Sequence, residues 1–83
     1  MFKVLLTDEA QKQLKSIDRR YQKAITQALI RLEKNPKAGA PLRKELKGKH
    51  KLRVSRYRII FEIDNEKTII WILTIEHRKD VYR

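Results

Sequence analysis

The sequence contains no cysteine, and in 83 residues it has only two glycines, two prolines, two histidines and one tryptophan. Without thiols there is neither a disulfide framework nor a thiolate metal site. His50 and His77 stand far apart, and no Asp or Glu cluster has ligand spacing. Metal catalysis is therefore not expected, and no cofactor is called for. Gly39 and Gly48 each stand alone, which removes a glycine-rich phosphate loop. Ser16 and Ser55 lie outside any strand-to-helix elbow, so a serine nucleophile has no support. Paired-carboxylate chemistry lacks a convincing pair. No apolar run reaches the length of a membrane span and the first residues carry no signal pattern, so the expectation is a cytoplasmic protein with no membrane partner.

Acidic residues are also scarce. Ten Asp and Glu face 21 Lys and Arg, a net charge of +11. The imbalance is local: residues 43–58 carry eight Lys or Arg against one acid, a net +7, whereas residues 59–83 carry four against five. Such a concentration suggests a polyanionic partner, either nucleic acid or an acidic protein segment. A merely solvated cationic surface is the plain alternative. With 41% hydrophobic and 37% charged residues, the chain reads as globular and as one domain over residues 1–83.

Along the chain, Phe2 to Leu6 reads as a short strand with Phe2, Val4 and Leu6 on one face. Thr7-Asp8 supplies a helix cap, and Ala10, Leu14 and Ile17 mark the apolar side of a first helix ending near Ser16. Asp18 restarts a helix in which Tyr21, Ala24, Ile25, Ala28, Leu29 and Leu32 form one continuous apolar stripe. Arg19, Arg20 and Lys23 lie off that stripe, on a solvated face. Asn35-Pro36 stops the helix, and residues 37–46 read as a loop. Asp64 to Lys67 reads as a turn, and Thr68 to Thr74 as a nearly continuous apolar strand covered on both faces, with Trp71 in the core. Residues 77–83 read as a tail. The predicted class is α+β, in the order β-α-α-β-β-β: a mostly antiparallel twisted sheet with a helical hairpin on one face.

Between the helices and the last strand lies the most informative stretch. In residues 49–54 every second side chain is a cation, so Lys49, Lys51 and Arg53 share one face of a strand while His50, Leu52 and Val54 share the other. Ser55-Arg56 turns the chain, and the returning strand brings Arg58. Like charges opposed on a sheet are destabilising, so gathering them points to an anion. The plain alternative for Arg58 is a cross-strand ion pair with Glu62 or Glu76. Chemistry driven by cations suits RNA, whose 2′-hydroxyl is its own nucleophile. Fixed Lys and Arg stabilise the charge that builds on the phosphorane. A Lys, His or Tyr moves the protons, and His77, Arg78 and Tyr82 lie on the tail.

Residues 49–63 and 77–83 resemble the RelE branch of the RelE/ParE toxin superfamily. The shared motifs are the hairpin Leu-Arg-Val-x-x-Tyr-Arg followed by apolar residues, and the terminus His-Arg-x-Asp-Val-Tyr. The resemblance implies a RelE-like fold and the toxin of a toxin–antitoxin pair, an endoribonuclease that cuts mRNA in the ribosomal A site and contacts rRNA there. By position, Lys49 and Lys51 match a lysine pair, Arg53 and Arg58 the phosphate-stabilising arginines, Arg78 the arginine after the last strand, and Tyr82 the terminal tyrosine. His77 becomes a candidate acid or base, and Lys47 and Arg56 extend the binding surface. The implied partner is a cognate antitoxin whose acidic segment folds on binding, in an inhibitory heterotetramer. Two rival readings keep the scaffold: a ParE-type toxin acting on DNA gyrase, and a non-catalytic relative that only binds RNA or antitoxin.

Overall fold

The computed structural model of the protein describes residues 2–36, 40–41 and 49–77. Strand β1 (Lys3–Leu6) leads into α1 (Asp8–Ser16) and α2 (Arg19–Lys34). Then come β2 (Ala40–Pro41), β3 (Lys49–Val54), β4 (Tyr57–Asp64) and β5 (Ile69–His77). The sheet order is β1-β5-β4-β3-β2, with β1 parallel to β5 and the other pairs antiparallel.

The helices start where capping chemistry places them. The Thr7 hydroxyl accepts from the Ala10 N–H at 3.2 Å, and the Asp18 carboxylate accepts from the Arg20 N–H at 2.9 Å. Asn35 ends α2, its N–H donating to the Arg31 carbonyl at 2.8 Å. The apolar stripe of α2 faces the sheet: Ile25 and Leu32 are fully buried, with Ala28 and Leu29 nearly so. Below them lie Ile59 and Phe61 of β4 and Ile70, Ile72 and Ile75 of β5, joined by Ala10 and Ile17. Ser55 turns the β3–β4 hairpin with φ 55°, a left-handed conformation in which the first position of such a turn favours glycine.

Three features depart from the sequence reading. The stretch expected as loop contains β2, a two-residue ladder that pairs Ala40 with Lys51 and Pro41 with His50. Strand β5 runs on to His77, so this histidine ends a strand rather than opening a tail. Trp71 is not core; it is 38% exposed on the face away from the helices.

The missing alternation in β5 has a cause other than two covered faces. Phe61 pairs with Ile72 but Ile60 pairs with Thr74, so Leu73 is an extra residue in a bulge. Before the bulge, Ile70 and Ile72 point to the helices; after it, Ile75 and His77 do. The phase shift therefore turns Thr74 and Glu76 to the outer face. Beyond the end of β1, α1 covers this edge of β5. The Thr7 N–H donates to the Ile72 carbonyl (3.0 Å) and the Thr7 hydroxyl to the Leu73 carbonyl (2.9 Å). The Gln13 side-chain carbonyl accepts from the Ile75 N–H at 2.6 Å.

Candidate nucleic-acid interface

The outer face of the sheet is ordered in three cross-strand rows. The first holds Arg53, Arg58 and Glu76, the second Lys51, Ile60 and Thr74, and the third Lys49, Glu62 and Trp71. Lys49, Lys51, Arg53 and Arg58 thus share one surface, as the alternation predicts. Arg53 and Arg58 stand directly opposite each other. Ile60 is 8% exposed although it stands in the row of Lys51.

Two of the cations already have partners. Lys49 Nζ lies 2.9 Å from Glu62 Oε1, and Arg58 Nη2 lies 3.3 Å from Glu76 Oε1. The Arg58 and Glu76 side chains are about a third exposed, 32% and 35%. A pair this wet contributes about 0–1 kcal/mol to stability. Among the described residues, Arg58 Nε is buried without a hydrogen-bond partner, and so is the Thr74 hydroxyl one row away on β5. Among the described residues the guanidinium is held through Nη2 alone. Both the ion pair anticipated as the plain alternative and the shared cation face are present together.

At the end of the sheet an open cleft of about 550 Å³ is lined by Gln13, Ser16, Tyr57, Arg58, Glu76 and His77, with Ile17 and Ile75 behind them. His77 approaches it from the helix side; its ring meets the Tyr57 ring edge-on, centroids 5.1 Å apart at 89°. Tyr57 in turn packs against Tyr21 of α2 at 5.5 Å. His50 sits on the core face and stacks on Phe61 at 5.4 Å, remote in orientation from the cation rows. Arg56 is exposed at the tip of the β3–β4 turn. Lys47, Arg78 and Tyr82 lie outside the described residues. Among the described residues no group of three His, Cys, Asp or Glu side chains is placed to hold a metal ion.

Nothing in the sequence singles out Gln13 or Tyr57 as site residues, and it suggests Glu76 only as a partner of Arg58. Gln13 sits beside Leu14 at the border of the α1 apolar side, and nothing local marks it as a β5 ligand. Tyr57 belongs to the Tyr-Arg pair of the hairpin, and that adjacency was its one signal.

The ParE toxin family of type II toxin–antitoxin systems matches residues 4–82. The chain is 36% identical over 84 residues to Toxin RelG of Mycobacterium tuberculosis, covering 99% of this chain and 97% of that protein. Its fold superposes on the toxin–antitoxin complex RelBE2 of the same organism with a TM-score of 0.86 and 33% identity, over 93% of this chain and 98% of that one. The isolated RelE toxin of E. coli shares the fold alone, at TM-score 0.80 and 16% identity over 99% of this chain and 92% of that one. A cation-bearing hairpin on this five-stranded α+β scaffold and a family match across nearly the whole chain agree: the chain belongs to the RelE/ParE family, as a toxin of a type II toxin–antitoxin system.

Proposed function

We propose that this toxin is an endoribonuclease that cleaves mRNA in the ribosomal A site without a bound metal. The observation that carries the reading is the outer face itself, where Lys51 and Arg53 of β3 stand beside Arg58 of β4. In the proposed reaction the 2′-oxygen of one ribose attacks the adjacent phosphorus and the bond to the 5′-oxygen breaks. The products are a 2′,3′-cyclic phosphate and a 5′-hydroxyl; one proton leaves the 2′-hydroxyl and one reaches the departing oxygen. Lys51, Arg53 and Arg58 stabilise the extra charge on the phosphorane. Lys49, Lys47 and Arg56 hold flanking phosphates, which orients the strand without reading its bases. The proton transfers fall to Lys51, His77 and Tyr82, with Arg78 beside them in sequence. The cleft that His77 and Arg58 both line supports such a role for His77. In the cell the partner is an antitoxin whose acidic segment covers the cation face.

The match to the ParE toxin family favours a second reading, inhibition of DNA gyrase on the same scaffold. One experiment separates the two. The protein is added to a reconstituted translation system with a defined message, cuts are mapped by primer extension, and gyrase supercoiling is assayed in parallel. Cuts confined to the A-site codon with normal supercoiling are expected. An intact message with supercoiling blocked would replace the nuclease reading by the gyrase one, and an intact message with normal supercoiling would leave a binding-only relative.

A further inference from the structure

We infer that Glu76 is the resident counter-ion of the anion site, a carboxylate that holds Arg58 in the free protein and yields it to a phosphate when nucleic acid binds. The inference rests on the outer face being a nucleic-acid surface, as proposed above, but not on cleavage. Register places Glu76 directly opposite Arg58 on one side and Arg53 directly opposite on the other. Two guanidinium groups facing each other across strands repel. Glu76 offsets that repulsion and draws Arg58 towards the cleft that both residues line. The bulge at Leu73 is what makes this possible, since without the phase shift Glu76 would face the core.

The contact is built to be exchanged. A strong arginine–carboxylate pair is bidentate and close to 2.8 Å. Here one Nη2–Oε1 contact at 3.3 Å is made, and Nε, on the same edge of the guanidinium, is buried without a partner among the described residues. A phosphate offers more acceptor oxygens than this carboxylate uses, and a small movement of Arg58 lets it take both N–H groups of that edge. Lys49 and Glu62 repeat the arrangement two rows away, at 2.9 Å. The outer face is thus a row of cations with two carboxylates standing where phosphates of a bound strand would lie. A purely supporting role for Glu76 makes the opposite prediction, because removing the support would weaken binding.

The test is fluorescence anisotropy with a single-stranded oligonucleotide whose 2′-positions are methylated, so that it binds but offers no nucleophile. Wild type is compared with Glu76→Gln, which keeps the shape and removes the charge, across a range of salt. Glu66→Gln, a change in the exposed turn before β5, controls for net charge. For Glu76→Gln we expect binding about three- to tenfold tighter at low salt. The plot of log affinity against log salt should steepen by about 0.7, the increment for one more phosphate contact on a single strand. Adding Arg58→Ala to Glu76→Gln should abolish both gains, and Glu66→Gln should show neither. Binding that is unchanged or weaker in Glu76→Gln, or a gain equalled by Glu66→Gln, would overturn the inference. A steeper slope in a protein that never cuts RNA would sustain the counter-ion and end the nuclease reading; cleavage with no effect of Glu76→Gln would do the reverse.

Discussion

Arg58 and Trp71 show how far single residues could be read. The alternation in residues 49–54 and the return at Arg58 fix which side chains share a face, and the structure has them so. That Arg58 both faces Arg53 and pairs with Glu76 follows from the register on two sides, which no single segment contains. Trp71 misled because a large aromatic in an apolar run usually enters the core; strand parity instead points it outward beside Glu62. Stability measurements distinguish the two placements. Phe61→Ala, at a fully buried ring, should cost about 3–5 kcal/mol in denaturant unfolding. Trp71→Ala, at a ring 38% exposed, should cost no more than about 1 kcal/mol. Equal losses would place the indole in the core after all.

At the scale of elements, the helices were legible and β5 only in part. The stripe of α2 and the caps at Thr7 and Asp18 are local signals, and each operates as its residue type suggests. The bulge is not local: it depends on how β4 and β5 pair, and it converts a run without alternation into two alternating segments of opposite phase. Strand β2 is equally silent in the sequence, since two residues of which one is a proline carry no strand signal of their own and pair only through β3. Gln13 ties α1 to the stretch after the bulge. Gln13→Ala leaves the Ile75 N–H without its acceptor and should cost about 1–3 kcal/mol, with faster amide exchange at Ile75. Loss of stability without a change at that amide would contradict the assignment.

The start of α2 carries a pH dependence of known sign. The Arg20 backbone N–H, and then its side chain, hold the Asp18 carboxyl below its ordinary value of 3.8. Because the folded value is the lower one, the cap is fully effective above that pH and is lost as pH falls through the folded value. The Arg20 amide shift should follow this titration, and Asp18→Asn should flatten it. An Arg20 shift that titrates equally in Asp18→Asn would assign the effect to another group.

For the whole molecule the dominant quantity is charge, +11 in 83 residues, and four cations of its densest stretch, Lys49, Lys51, Arg53 and Arg58, share one face of the sheet. Binding to single-stranded RNA should therefore weaken with salt, by about 0.7 in log–log slope for each phosphate neutralised. Replacing Lys51 and Arg53 together by glutamine should make that slope shallower by about 1.4. Replacing the exposed Lys12 and Lys15 of α1 should leave it near the wild-type value. Equal effects of the two pairs would mean that the outer face is no special site, only part of a uniformly basic surface. Composition alone suggests a polyanion partner; which cations share one face follows only from the pairing of β3 with β4.

The most direct measurement is the single-turnover rate of mRNA cleavage on programmed ribosomes, wild type against Arg58→Ala, with thermal unfolding measured on both. Losing one transition-state cation should lower the rate by about two to three decades. The folded state should change little, because a pair about a third exposed on both sides contributes at most about 1 kcal/mol. An Arg58→Ala protein that cuts at the wild-type rate, or a folded wild type that leaves the message whole, would contradict the account.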